Sequence, residues 1–188
     1  MHRFFLVAAL AAACGNPDTL VVGSISASAD NPVVIFTDIR SAIHGVGTRT
    51  DQNGNIVAQS DVIIISDKAN LCQAIKDKPD YFRHPPEKYL ALIFFAPLDR
   101  VGTFVIGRDP GTLSEIIATN GPGGNLFPFL GVSGSYVAVT NFELNGGHAN
   151  GSFNMVYQDS HPNSAFAYPF YGNYQTNWCE AIGSTVLP

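Results

Sequence analysis

The stretch "PFYGNYQTNWC", residues 169–179, alternates. Its even positions Phe170, Tyr174 and Trp178 are aromatic, and its odd positions Tyr171, Asn173, Gln175 and Asn177 are polar or amphipathic. Successive side chains of a strand leave opposite faces, so a period of two describes a strand with one face buried and one wet. "GSFNMVYQ", residues 151–158, repeats the pattern, with Phe153, Met155 and Tyr157 on one side and Asn154 and Gln158 on the other. Two such strands side by side would turn an Asn/Gln-rich face outward. Tyr171, Asn173, Gln175 and Asn177 are therefore the candidate ligand face, with the amide and phenol chemistry that suits a glycan; a merely solvated face is the plainer reading.

Working outward from these strands, further runs bounded by Gly, Pro, Asn and Asp recur at 20–26, 33–39, 42–50, 56–66, 89–96, 102–107, 112–118 and 136–144. Asn53-Gly54 supplies a hairpin signal between two of them, and "NGG" at 145–147 supplies another tight turn. Regular spacing with turn signals predicts a mainly β fold, an antiparallel sandwich or barrel. "YLALIFFAP", residues 89–97, places eight apolar residues before a proline, too few to span a bilayer and fitting for a central core strand. One short helix is expected near residues 68–76, in "SDKANLCQAIKD", with Ser66 or Asp67 as N-cap and Leu71, Ala74 and Ile75 as its apolar stripe.

Composition agrees with an exported β protein. Of 188 residues, 46% are hydrophobic and only 13% charged, with 18 Gly and 12 Pro, where a typical charged share is about 25%. The net charge of −5 and the scattering of the ten basic residues leave no electrostatic footprint for nucleic acid. At the N-terminus, Arg3 precedes ten apolar residues, Phe4 to Ala13, and Ala11 and Ala13 offer a small-residue cleavage site. Ten helical residues reach about 15 Å, half of a hydrocarbon core. Residues 1–13 thus read as a signal peptide, 14–18 as a short tether and 19–188 as a single β-rich domain.

The signal ends in "LAAAC", residues 10–14. This resembles the box of the bacterial lipoproteins, in which small and apolar residues stand directly before a cysteine. Here Ala11 occupies the place where Leu is usual, and Leu10 stands one position early. The resemblance implies cleavage between Ala13 and Cys14, a diacylglyceryl group on Cys14 and attachment of the domain to a membrane through N-terminal lipid. Ordinary cleavage at the same bond would instead leave Cys14 a free thiol. Gly15 rather than Asp after the cysteine implies, by the same resemblance, sorting to the outer membrane, with the domain facing the periplasm or the cell surface. Beyond the signal, the domain resembles small bacterial lipoproteins without assigned activity, and this adds no mechanism.

If Cys14 carries lipid, Cys72 and Cys179 remain as an even pair in an oxidising compartment. A bond between them would close a 107-residue loop, for which chain entropy allows up to about 4.7 kcal/mol. Two buried free cysteines are the alternative. Because Cys179 falls in the odd series of its strand, a disulfide requires the short helix to pack at that strand's end on the polar side, or the strand to twist or bulge there.

"GVSGS" at 131–135 misses the final glycine of a nucleophile elbow, "GPGGN" lacks the Gly-Lys-Ser/Thr ending of a phosphate loop, and "DQNGN" lacks the acids of a calcium loop. No H-E-x-x-H or CxxC pair occurs, so neither metal nor cofactor is expected. His44 lies in a predicted strand, and His84, His148 and His161 lie in loops. Glu143, His148, Asp159 and His161 could meet at one end of the sheet and bind a metal or move protons, although polar residues collect in loops in any case. The connections 77–88 and 120–134 are the natural places for a ligand loop. The leading expectation is a lipid-anchored, non-catalytic envelope domain that binds a partner or gives structural support. An anchored hydrolase using loop His and Asp residues and a carbohydrate-binding module are the alternatives.

Overall fold

The computed structural model describes residues 19–25, 34–35, 38–50, 56–119, 126–159 and 167–187. The first four strands are β1 (Leu20–Ile25), β2 (Val34–Ile35), β3 (Ser41–Thr50) and β4 (Ile56–Ser66). The helix α1 (Leu71–Asp77) comes next, then β5 (Tyr89–Pro97), β6 (Gly102–Val105), β7 (Leu113–Thr119) and β8 (Leu126–Gly131). Strands β9 (Tyr136–Phe142), β10 (His148–Asp159) and β11 (Ala167–Trp178) and a 3-10 turn, η1 (Glu180–Ser184), complete the chain. The fold is mainly β, as the spacing of the runs predicts.

The strands form one mixed sheet that closes on itself through the β11–β10 pairing and folds into two layers, each antiparallel within itself. One layer, the outer sheet, runs β2-β1-β11-β10-β9-β6, and the other, the inner sheet, runs β3-β4-β5-β7-β8. β11 pairs with β10 from His148↔Asn177 to Gln158↔Ala167. Its other edge takes β1, from Leu20↔Asn173 to Gly23↔Phe170, and then crosses to β3 in the parallel pairs Asn177↔Ile43 and Trp178↔His44. β10 likewise pairs first with β9 and then, at Tyr157↔Gly131 to Asp159↔Phe129, with β8. The long strands β10 and β11 therefore leave one sheet for the other and close the sandwich.

Two apolar cores follow from this layout. The first lies between the sheets, where Phe94 of β5 packs 4.9 Å from the ring of Phe153 and 6.4 Å from that of Tyr174, with Met155, Tyr157 and Phe170 beside them. The second covers the far face of the inner sheet: Leu71 and Ile75 of α1, Tyr81, Phe82, Ile182 and Leu187 pack on Ile43, Val62, Ile64 and Ile93. β4 and β5 are thus buried on both sides. Continuous runs such as "VIII" and "YLALIFFA" are what such strands need, because neither face meets water.

The structure departs from the sequence reading in four places. α1 begins at Leu71 with Asn70, in a left-handed conformation, ahead of it. Ser66 and Asp67 do not cap it; the Ser66 hydroxyl donates to the Leu90 carbonyl, and Asp67 Oδ1 accepts from the Leu90 N–H, so both tie the turn to β5. The connection 120–134 holds a strand, β8, whose Pro128 pairs opposite Ile117. The connection 77–88 spends its aromatics on the core, with Tyr81 and Phe82 almost fully buried, and it builds no ligand loop from them. The hairpin signal Asn53-Gly54 and the segments "GPGGN" and "DQNGN" lie outside the described residues, although β3 and β4 pair antiparallel as that signal requires.

Candidate functional site

The strand alternation orders the outward face of the outer sheet. On β11, Phe170, Tyr174 and Thr176 are buried, while Tyr171 is 54% exposed, Asn173 and Asn177 are exposed and Gln175 is half-buried. On β10, Phe153, Met155 and Tyr157 point inward, and Asn154 and Gln158 outward. Register carries the pattern across the sheet. Tyr171 stands opposite Val22 on one side and Asn154 on the other, and Asn154 in turn stands opposite Tyr136, then Val105. The next row reads Leu20, Asn173, Ser152, Ala138, Thr103. A shallow depression of about 380 Å³ lies where these rows meet, lined by Leu20, Tyr136, Ser152, Asn154, Tyr171 and Asn173.

Sequence reasoning named Tyr171, Asn173, Gln175 and Asn177, and the structure sets all four on this face. It missed Tyr136 and Leu20. Tyr136 was findable, since Val137 and Val139 alternate inward between Tyr136, Ala138 and Thr140; which strand it would join was not.

At the other end of the sheet, His44, Glu143 and His148 are tied to the backbone. His44 is fully buried and sits edge-on to Phe142 and Trp178, with ring centroids 4.9 and 5.5 Å away. Its Nε2–H donates to the Glu143 carbonyl at 2.7 Å, and Nδ1 lies 3.0 Å from the Thr176 hydroxyl. Burial pushes its pKa below the ordinary value, and its bonds to the Glu143 and Asn177 carbonyls only partly oppose this. Glu143 and His148 do meet, but through the His148 backbone N–H, which donates to Glu143 Oε2. The Asn141 amide and that N–H hold the Glu143 carboxyl below its usual range. Both bonds brace the turn, where Asn145 and Gly146 take positive φ. His84 pairs with Asp80 on the surface, at 2.9 Å. His161 and the Asp159 side chain lie outside the described residues. Among the described residues, no group of three His, Cys, Asp or Glu side chains is placed to hold a metal ion.

Cys72 and Cys179 form a disulfide, with Cα atoms 5.7 Å apart. Cys179 follows the end of β11 on the outward side, and α1 packs there against η1, the first of the two geometries the odd position demanded. Cys14 lies outside the described residues.

Fold and face together define a corner-stitched β-sandwich with an exposed amide, hydroxyl and aromatic surface on its outer sheet. No protein-family model, curated protein or solved structure matches the chain.

Proposed function

We propose that the chain is a lipid-anchored envelope protein whose β-sandwich is a non-catalytic domain, working by binding or by structural support. The observation that carries the reading is the cysteine inventory. The chain has three cysteines, and Cys72 and Cys179 are spent on each other, so Cys14, directly after "LAAA", is the one left over for a modification. Two or three acyl chains there would hold the protein firmly, where a single chain binds only reversibly. The first described residue, Thr19, comes five positions later, and five extended residues reach only about 17 Å. The domain would sit close to the bilayer, with the outer membrane the implied destination. A non-catalytic role is supported by the use of His44, Glu143 and His148 as braces of the backbone.

Intact mass of the protein from the membrane fraction, alkylated with and without reduction, tests this. The chain from Cys14 plus acyl chains, with two alkylations appearing only on reduction, is the expected result. A bare mass with Cys14 alkylated before reduction would refute the anchor. Cys14→Ser should move the protein from the membrane pellet to the soluble fraction.

A further inference from the structure

We infer that the outward face of the outer sheet is a binding surface for a neutral glycan, seated on Tyr171 and Tyr136. The inference rests on the reading of the sandwich as a binding domain, and it does not need the anchor.

The chain carries 25 ionisable Asp, Glu, Lys and Arg residues, yet none of the outward-facing positions described on β1, β6, β9, β10 and β11 is one of them. A surface that excludes both signs over five strands offers an ionised ligand no counter-charge, and it exacts no charge desolvation from a neutral one. What it does offer is hydrogen-bonding groups of both kinds. An amide presents donors and an acceptor, and a hydroxyl presents one donor and two lone pairs, which matches the vicinal hydroxyls of a sugar. Among the described residues, the side chains of Tyr136, Ser152, Asn154, Tyr171 and Asn173 make no hydrogen bond to the protein, so these groups remain available to a ligand.

Geometry supplies the second half. A sugar ring has an apolar C–H face as well as a polar rim, and an aromatic side chain with a polar tip can meet both. Tyr171 and Tyr136 flank Asn154 in one cross-strand row, two strand spacings or about 10 Å apart. Leu20, 59% exposed, closes the depression on the β1 side. Aromatics at two ends and amides between them suit a chain of sugar units lying across the strands, in contact with solvent along its upper edge.

Affinity electrophoresis of the full chain in detergent, through gels containing dextran, mannan or mixed-linkage β-glucan, tests the inference, with anionic alginate as control. Retardation by at least one neutral polymer and not by alginate is expected. Tyr171→Ala and Asn154→Ala should each weaken it by about tenfold, with melting temperatures unchanged. Four results would overturn it: no retardation by any neutral polymer, preference for alginate, variants that migrate as the wild type does, or variants that instead lose binding to phosphatidylcholine vesicles or self-association. A bare Cys14 with retardation intact would remove the anchor alone, and an acylated Cys14 without retardation would remove the glycan alone.

Discussion

Asp61 enters the space between the sheets from β4, directly before the run Val62–Ile65, and is fully buried. Its Oδ2 accepts from the Asp99 N–H at 3.0 Å, while its Oδ1 has no hydrogen-bond partner among the described residues. Burial, the largest cause, lifts its pKa from 3.8 to about 6, against the pull of the Asp99 and Arg100 N–H groups. Between those values the folded chain holds a proton that the unfolded chain has released. Stability should therefore fall as pH rises from about 4 to about 6, by on the order of 3 kcal/mol for this residue alone. Glu87, held low by Lys68, works in the opposite direction, so the measurement is a difference: chemical denaturation from pH 4 to 7 of wild type and Asp61→Asn, whose curves should diverge across that window. Thr176, also buried, donates to the Ala149 carbonyl, and His44 Nδ1 lies 3.0 Å from the same hydroxyl. Thr176→Val should cost about 1–3 kcal/mol, read as a lower urea midpoint. At this scale the sequence was partly legible. A lone acid in "SDVIIIS" is a visible anomaly, but the turn that takes up its Oδ2 lies 38 residues on, and nothing local points there.

Among the elements, β3 shows why two glycines stand in a strand. A Cβ on Gly45 would lie 2.7 Å from the Cys179 carbonyl, and one on Gly47 would lie 2.6 Å from a Val62 methyl and 3.0 Å from Leu187. Their bare backbone lets η1 and the C-terminal residues lie flat on the inner sheet, with Ile182 and Leu187 in its core. Gly47→Val should push that segment off and destabilise by about 1–3 kcal/mol. The disulfide fixes the same segment to α1. Replacing both Cys72 and Cys179 by Ser should lower the denaturation midpoint by as much as about 4.7 kcal/mol, and reductant should do the same to the wild type and nothing to the double variant. Elements with strict alternation, β10 and β11, were legible, as was the stripe Leu71 and Ile75 of α1. β8 was not, because two apolar pairs around Pro128 read as a loop until the neighbours Ile117 and Tyr157–Asp159 are known. η1 is too short to show a period.

For the whole molecule, composition and turn spacing pointed to a sandwich or barrel, but not to the pairing order, because hydrogen-bonded partners such as Thr19 and Gln175, 156 positions apart, leave no trace in either local sequence. The strand on which that order turns is β11, which touches β1, β10 and β3. A chain stopped at Asp159 would lose the neighbour of all three, and it should show no cooperative melting and should be cleaved rapidly by protease, where the full chain resists. Strands separated by most of the chain pair slowly, since loop closure precedes any gain from contact. At 5–20 residues per second, the 147 positions from Leu20 to Ala167 take roughly 7–30 s to synthesise, and until β11 follows them the centre of the outer sheet is missing. The order of strands thus acts as a clock: the sandwich can close only once β11 is free to pair.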